Sequence, residues 1–394
     1  MRTLRTLSLG VVVAALLTPA ASAERPAWFT SWAQSQQHLA PVTLHDQTMR
    51  MITHLSQGGT AVRIRVQNTF GKQPLTLDHT TVGTGSAFHD VTFNGRRSVT
   101  LPPGGERWSD RTTLDVLPGN DLAVSMHVAG DAVPGRHESA FRDNYLTPAG
   151  SGDHTTDSAA AYTQTVQSTY VVTAVDVHNP RLKGTIVPFG SSVVDGVGST
   201  NCGPGCTSWG TNKRWTDVLA RSLTSLTVAN AGISGTTSAV CPSTPGAFVG
   251  LDALARLERD VLALHGVTDV IYYYGTNDLA NGCSASDIIT SYRTVFARLR
   301  AAGIAVHVTP ITPRPGYSDQ NNVDRHAVND FVKRGGDCSG TCTSLVDFDQ
   351  VLEDPVKPNS INPPYDTGDG VHANIVGQQA IADYVDLKAL ASSR

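Results

Sequence analysis

Two short segments of this chain carry side chains that can move an acyl group. Asp369-Gly370-Val371-His372 sets a carboxylate three residues before an imidazole, and far upstream Phe189-Gly190-Ser191-Ser192 ends a strand-like run on two hydroxyls. A hydroxyl nucleophile needs a base to take its proton and a carboxylate to fix the tautomer of that base. The chain order Ser192, Asp369, His372 supplies all three. Each segment alone is ordinary turn chemistry, and two more segments make the set specific. Asn230-Ala231-Gly232-Ile233-Ser234-Gly235 offers the backbone N–H of Gly232, and Gly275-Thr276-Asn277-Asp278 offers the side-chain amide of Asn277. With the N–H of Ser192 these are three donors of the kind a tetrahedral oxyanion requires.

The elements that must position these residues follow from periodicity. From Thr185 the pattern alternates: strand 185–189, helix 214–223, strand 226–230, helix 251–264, strand 269–274. Ile288, Ile289, Tyr292, Val295, Phe296 and Leu299 then keep helical spacing, with Gly303 placed to stop the helix. Strand 304–309, helix 323–333, strand 344–348 and helix 375–390 complete the series. Five strands, each followed by a helix, predict an α/β fold with a doubly wound parallel five-stranded sheet. In such sheets ligands bind beyond the carboxyl ends of the strands, where all four segments fall.

The first half reads differently. Val62, Ile64 and Val66 alternate with Arg63, Arg65 and Gln67, and Leu122, Val124, Met126 and Val128 alternate likewise, with turn signals such as Asn94-Gly95 between the runs. An all-β sandwich domain over 24–180 is expected, followed by the α/β domain over 181–394. Residues 1–23 carry Arg2 and Arg5, an apolar run from Leu7 to Leu17 and Ala21-Ser22-Ala23, the pattern of a secretory signal peptide. Nothing else is apolar enough to span a membrane, so no stable membrane insertion is expected, and the mature protein should be secreted and extracellular.

Removing Arg2 and Arg5, and no acid, takes the formal charge from −4 to −6, which argues against nucleic acid or an anionic membrane as partner. Six cysteines, Cys202, Cys206, Cys241, Cys283, Cys338 and Cys342, all lie in the second half. An even number in an exported chain predicts three disulfides, paired locally as 202 with 206, 241 with 283 and 338 with 342. A zinc site on the two Cys-x-x-x-Cys pairs is the alternative, disfavoured by oxidising conditions and by the lack of a nearby histidine.

On these four blocks, residues 184–394 resemble the SGNH (GDSL-type) hydrolases. The nucleophile block is Phe189 to Ser192 with Asp195-Gly196, and the glycine, asparagine and acid–base blocks are those quoted above. The first half is similar to the β-domain of a secreted actinobacterial-type subgroup, through Trp32-Ala33, Gln47-Thr48-Met49-Arg50 and Asn68-Thr69-Phe70-Gly71. The resemblance implies that Ser192 is the nucleophile, His372 the general base and then acid, and Asp369 its orienting carboxylate. Gly232 and Asn277 would complete the oxyanion hole with the N–H of Ser192. It implies hydrolysis of carboxylic esters, on a small-molecule, lipid or acetylated-glycan substrate, with no metal or organic cofactor.

Three departures stand out: Ser191 where the family usually has aspartate, Ala373 where it often has proline, and Pro188 at the end of the first strand. Ser191 removes a charge and an acceptor from the turn, but its hydroxyl can bond nearby backbone, so the turn is expected to survive. Two other functions share these residues. An acyltransferase would use the same acyl-enzyme, and a carbohydrate-binding protein would keep the β-domain with an inactive hydrolase half. Asp195 and Asp278 are read as loop hydrogen-bonders, Asp366 as a cap for its loop, and Tyr272, Tyr273 and Tyr274 as packing of a central strand.

Overall fold

A computed structural model describes residues 27–203, 206 and 208–392; the expected signal peptide at 1–23 lies outside the described residues. The N-terminal part is antiparallel throughout. One sheet runs in the order Trp28–Ala33, Val172–His178, Gly59–Gln67, Thr112–Val116, with Glu106–Trp108 also pairing on Gly59–Gln67. A second sheet centres on Leu44–His54 and Asp121–Ala132. The alternating residues explain the packing: Val62, Ile64 and Val66 from one sheet meet Met49, Met51, Val124 and Met126 from the other in one apolar core.

The opposite face of the first sheet departs from a simple polar-to-solvent reading. Arg65, Thr30 and Asp176 on it are buried because the C-terminal region covers them. Thr30 and His265 exchange two hydrogen bonds at the junction, and Arg65 donates to the carbonyl of Arg259 at 2.9 Å. Ser56 accepts the N–H of Val228, an edge position of the C-terminal sheet. The β-rich part therefore braces the α/β part through buried polar contacts.

The C-terminal sheet is parallel, in the order Leu226–Val228, Gly184–Gly190, Val267–Tyr273, Ala305–Val308, Ser344–Leu345. The first strand in sequence sits inside and the second at an edge, which is a doubly wound arrangement. The short strand Ala231–Gly232 extends the edge and pairs with Phe189 and Gly190. The helix Ala285–Ala301 shows the local logic best. Ser284 and Asp287 cap each other's N–H groups, Ile288, Tyr292, Val295, Phe296 and Leu299 are buried, and Gly303 at φ 75° ends it.

Of the boundaries that differ from those expected, three have a visible physical cause. The helix expected over 251–264 is Ala253–Leu257 followed by a π turn, Glu258–Leu262, beside the buried ion pairs of Asp260 with Arg256 and Arg259. The strand expected over 344–348 stops at Leu345, because Asp347 caps the helix Phe348–Leu352. The helix expected over 375–390 breaks after Asp383, where Asp386 accepts the N–H of Lys388 as a new helix begins at Leu387. The disulfides are Cys202–Cys206, Cys241–Cys283 and Cys338–Cys342. Among the described residues no helix is long and apolar enough to cross a membrane.

Candidate active site

The strand Gly184–Gly190 leads directly into a one-turn helix, Ser192–Asp195. Only glycine fits at 190, since a Cβ there would stand 2.2 Å from the carbonyl oxygen of Tyr273 on the neighbouring strand. The Ser191 carbonyl accepts the N–H groups of Val194 and Asp195, and Gly196 closes the turn at φ 102°. The Ser191 hydroxyl itself is buried and bonds nothing, contrary to the backbone bond expected of it. The turn survives through backbone bonds instead. Ser192, 7% exposed, directs its Oγ to His372 Nε2 at 2.9 Å.

His372 belongs to a loop that holds itself together. Asp369 Oδ2 lies 2.6 Å from His372 Nδ1, and Asp369 Oδ1 accepts the N–H groups of Val371 and His372. Asp366 does not reach the imidazole; it accepts the N–H groups of Gly368 and Gly370, as a loop cap should. Partial burial would raise the Asp369 pKa. The His372 ring and the two N–H groups outweigh it and pull the carboxyl down to about 2. A carboxylate can only accept, so Nδ1 carries the proton and Nε2 is left facing Ser192 with its lone pair.

One of the expected donors is engaged by a neighbouring side chain. The N–H of Gly232 is not vacant: it donates to Asn230 Oδ1 at 2.8 Å, in a turn closed by the asparagine side chain. Glycine is required at 232 for closeness alone, as a Cβ would fall 2.1 Å from the backbone nitrogen of Asp195. Gly235, in the same segment, was not among the residues expected at the site. It has φ 84°, its N–H has no hydrogen-bond partner among the described residues, and it is bracketed by two bonds that fix its place. Ser234 before it donates to Asp195, and Thr236 after it accepts from Asn277 Nδ2 at 3.0 Å. Gly235 thus lies between the nucleophile turn and the Asn277 amide.

Asn277 sits in the short helix Thr276–Ala280, opened by Gly275 at φ 108°. Arg314 donates to its Oδ1 at 3.3 Å, and a guanidinium cannot accept, so the amide orientation is fixed and one Nδ2 hydrogen is left over. The next residue, Asp278, is fully buried and accepts the N–H groups of Ser238 and Ala239. Burial pushes its carboxyl up to about 6 despite those bonds. It adjoins Cys241 and Cys283, whose sulfurs are joined to each other and so are not free to hold a metal. Tyr272, Tyr273 and Tyr274 are buried, as core residues.

Serine, histidine and aspartate thus stand in one hydrogen-bonded line at the carboxyl edge of a parallel α/β sheet. Residues 189–380 match the model of the GDSL-like Lipase/Acylhydrolase family. No curated protein matches the chain. Among solved structures it is similar to an aryl esterase from M. smegmatis, at 17% identity over 51% of this chain and 95% of the other, with a TM-score of 0.39. A carbohydrate acetylesterase from Sinorhizobium meliloti aligns at 15% identity over 53% and 99%, with a TM-score of 0.41. A GDSL-like lipase from Bacteroides thetaiotaomicron aligns at 18% identity over 53% and 89%, with a TM-score of 0.39.

Proposed function

We propose that the protein is a secreted serine esterase that hydrolyses short-acyl carboxylic esters, such as acetyl esters of polysaccharides or small lipid esters. The observation that carries this reading is the unbroken line Ser192 Oγ, His372 Nε2, His372 Nδ1, Asp369 Oδ2, with spacings of 2.9 and 2.6 Å across the two hydrogen bonds. Ser192 Oγ attacks the ester carbonyl as its proton passes to His372 Nε2. The imidazolium is stabilised by Asp369, which is already ionised. The oxyanion meets the N–H of Ser192, the N–H of Gly235 and the spare hydrogen on Asn277 Nδ2. Collapse expels the alcohol with the proton from His372, and water then repeats the sequence on the acyl-enzyme.

The ring of Phe248 lies against Gly235, where a Cβ would meet it at 2.3 Å, beside the proposed oxyanion donors. The three disulfides suit an oxidising, extracellular setting. Turnover of p-nitrophenyl esters of increasing length tests the reading. Activity should be greatest on acetate or butyrate and vanish in His372→Ala; retention of acetylated glycan without turnover would instead support a binding protein.

A further inference from the structure

The nucleophile turn is held by a side chain from the other half of the molecule. His137 lies on the strand Gly135–His137 of the N-terminal part, 2% exposed, and its Nε2 stands 3.0 Å from Asp195 Oδ1. Asp195 is the third residue after Ser192, equally buried. The other ring nitrogen, Nδ1, is 2.9 Å from the carbonyl oxygen of Ser35. A carbonyl oxygen can only accept, so Nδ1 must donate, and the proton between Nε2 and Asp195 belongs to one or the other. Burial alone would push the Asp195 carboxyl up. His137, the charge of Arg214 and the Ser234 hydrogen bond outweigh it and hold the carboxyl below its usual range. The ring is therefore held between two oxygens, the Ser35 carbonyl and the Asp195 carboxylate.

Asp195 is also where the two halves of the oxyanion site are tied. Its second oxygen, Oδ2, accepts from the hydroxyl of Ser234 at 2.7 Å and from the N–H of Ser234 at 3.2 Å, one residue before Gly235. A second link runs parallel to the first. Arg214 donates Nε to the Asp195 carbonyl at 2.6 Å and Nη2 to the carbonyl of Ala140 at 2.8 Å, three residues after His137. No other role is needed from Asp195 in the esterase mechanism, yet it is a fully buried charge with all of its acceptors used.

We infer that His137 is a positioning residue: its buried hydrogen bond with Asp195 fixes the spacing between the Ser192 nucleophile and the Gly235 oxyanion donor, so the N-terminal part completes the active site. The inference rests on the esterase reading. It assigns that part a task in catalysis beyond substrate capture, because displacing a reacting group by about 1 Å can cost about 10²-fold in rate. The substrate class is unchanged by it; what changes is how fast Ser192 acylates.

The test uses the full chain as wild type, H137Q, D195N and the double variant H137Q/D195N. Glutamine keeps one donor within reach of Asp195 and loses the rigid ring that also bonds the Ser35 carbonyl. Measured quantities are kcat and KM on p-nitrophenyl acetate, the rate of Ser192 modification by a fluorophosphonate, and near-ultraviolet circular dichroism. H137Q should keep native dichroism and a KM within about threefold of wild type, while kcat and the modification rate fall about 10- to 100-fold. The double variant should be no worse than H137Q, since both substitutions break one pair. Unchanged kcat in H137Q, or single losses that multiply in the double variant, overturns the inference. If H137Q loses native dichroism, the double variant, which leaves no lone buried charge, decides by the same drop in kcat or its absence. A wild-type protein with no Ser192-dependent turnover removes the esterase reading, and this inference with it.

Discussion

The acid–base loop and the nucleophile turn meet across one hydrogen bond but are built on opposite principles. Asp369 is 48% exposed, and every bond that orients His372 comes from within a few residues of it. The nucleophile turn is buried, and its supports come from the strands beside it, from Ser234, and from His137 some way back in the chain. A local device tolerates change elsewhere in the protein. A turn supported by long-range contacts transmits that change straight to Ser192. The difference also accounts for Ser191: with a neutral, unbonded hydroxyl at that position, the turn depends the more on Asp195.

The largest expected effects do not discriminate between the two regions but establish that both serve one reaction. Ser192→Ala or His372→Ala should reduce kcat by about 10⁴-fold or more, measured on p-nitrophenyl acetate with folding checked by circular dichroism. Asp369→Asn should cost about 10³- to 10⁴-fold by favouring the wrong tautomer of His372, with no loss of thermal stability beyond that of an exposed substitution. Asn277→Ala should cost about 10²- to 10³-fold in kcat with little change in KM.

Smaller effects separate the regions. Gly235→Ala forces a side chain into a left-handed position against Phe248 and should lower kcat, whereas Gly232→Ala drives a methyl into the Asp195 backbone and should lower the melting temperature as well. Acid sensitivity differs in sign. The depressed Asp369 pKa means that its pairing is fully present above about pH 4 and is lost as pH falls toward about 2. Asp278 is raised to about 6, so its contribution is full below about pH 4 and is lost as pH rises through 6. Melting temperatures of wild type and Asp278→Asn should accordingly move closer in favour of the variant between pH 4 and 7; a constant gap would contradict the raised pKa. Mild reduction of Cys241–Cys283, which joins the loops carrying Gly235 and Asn277, should lower activity before the sheet unfolds.

Legibility in the sequence follows the same division. The acid–base loop was legible once the other segments stood beside it, because an acid and a histidine three residues apart come within contact distance when the loop turns. The parallel sheet and the Ala285–Ala301 helix were legible through apolar spacing and a glycine stop. The choice between Gly232 and Gly235 was not. Asn230-Ala231-Gly232 and Ser234-Gly235 both read as turns, and only the observed bond from Gly232 to Asn230 shows which N–H is free. An asparagine two residues before a glycine was the available signal. His137 had no signal at all, since its partner is 58 positions away and reaches it only when two sheets pack. Nor could alternation in residues 62–67 reveal that Arg65 faces a second layer rather than solvent.

The central claim is that Ser192, and not the adjacent Ser191, forms the covalent intermediate. Fluorophosphonate labelling of the purified protein followed by peptide mapping reads this directly. A stoichiometric adduct on Ser192, absent from His372→Ala over the same interval, is the predicted result. An adduct on Ser191, or no adduct in a protein that still turns over ester, would contradict it.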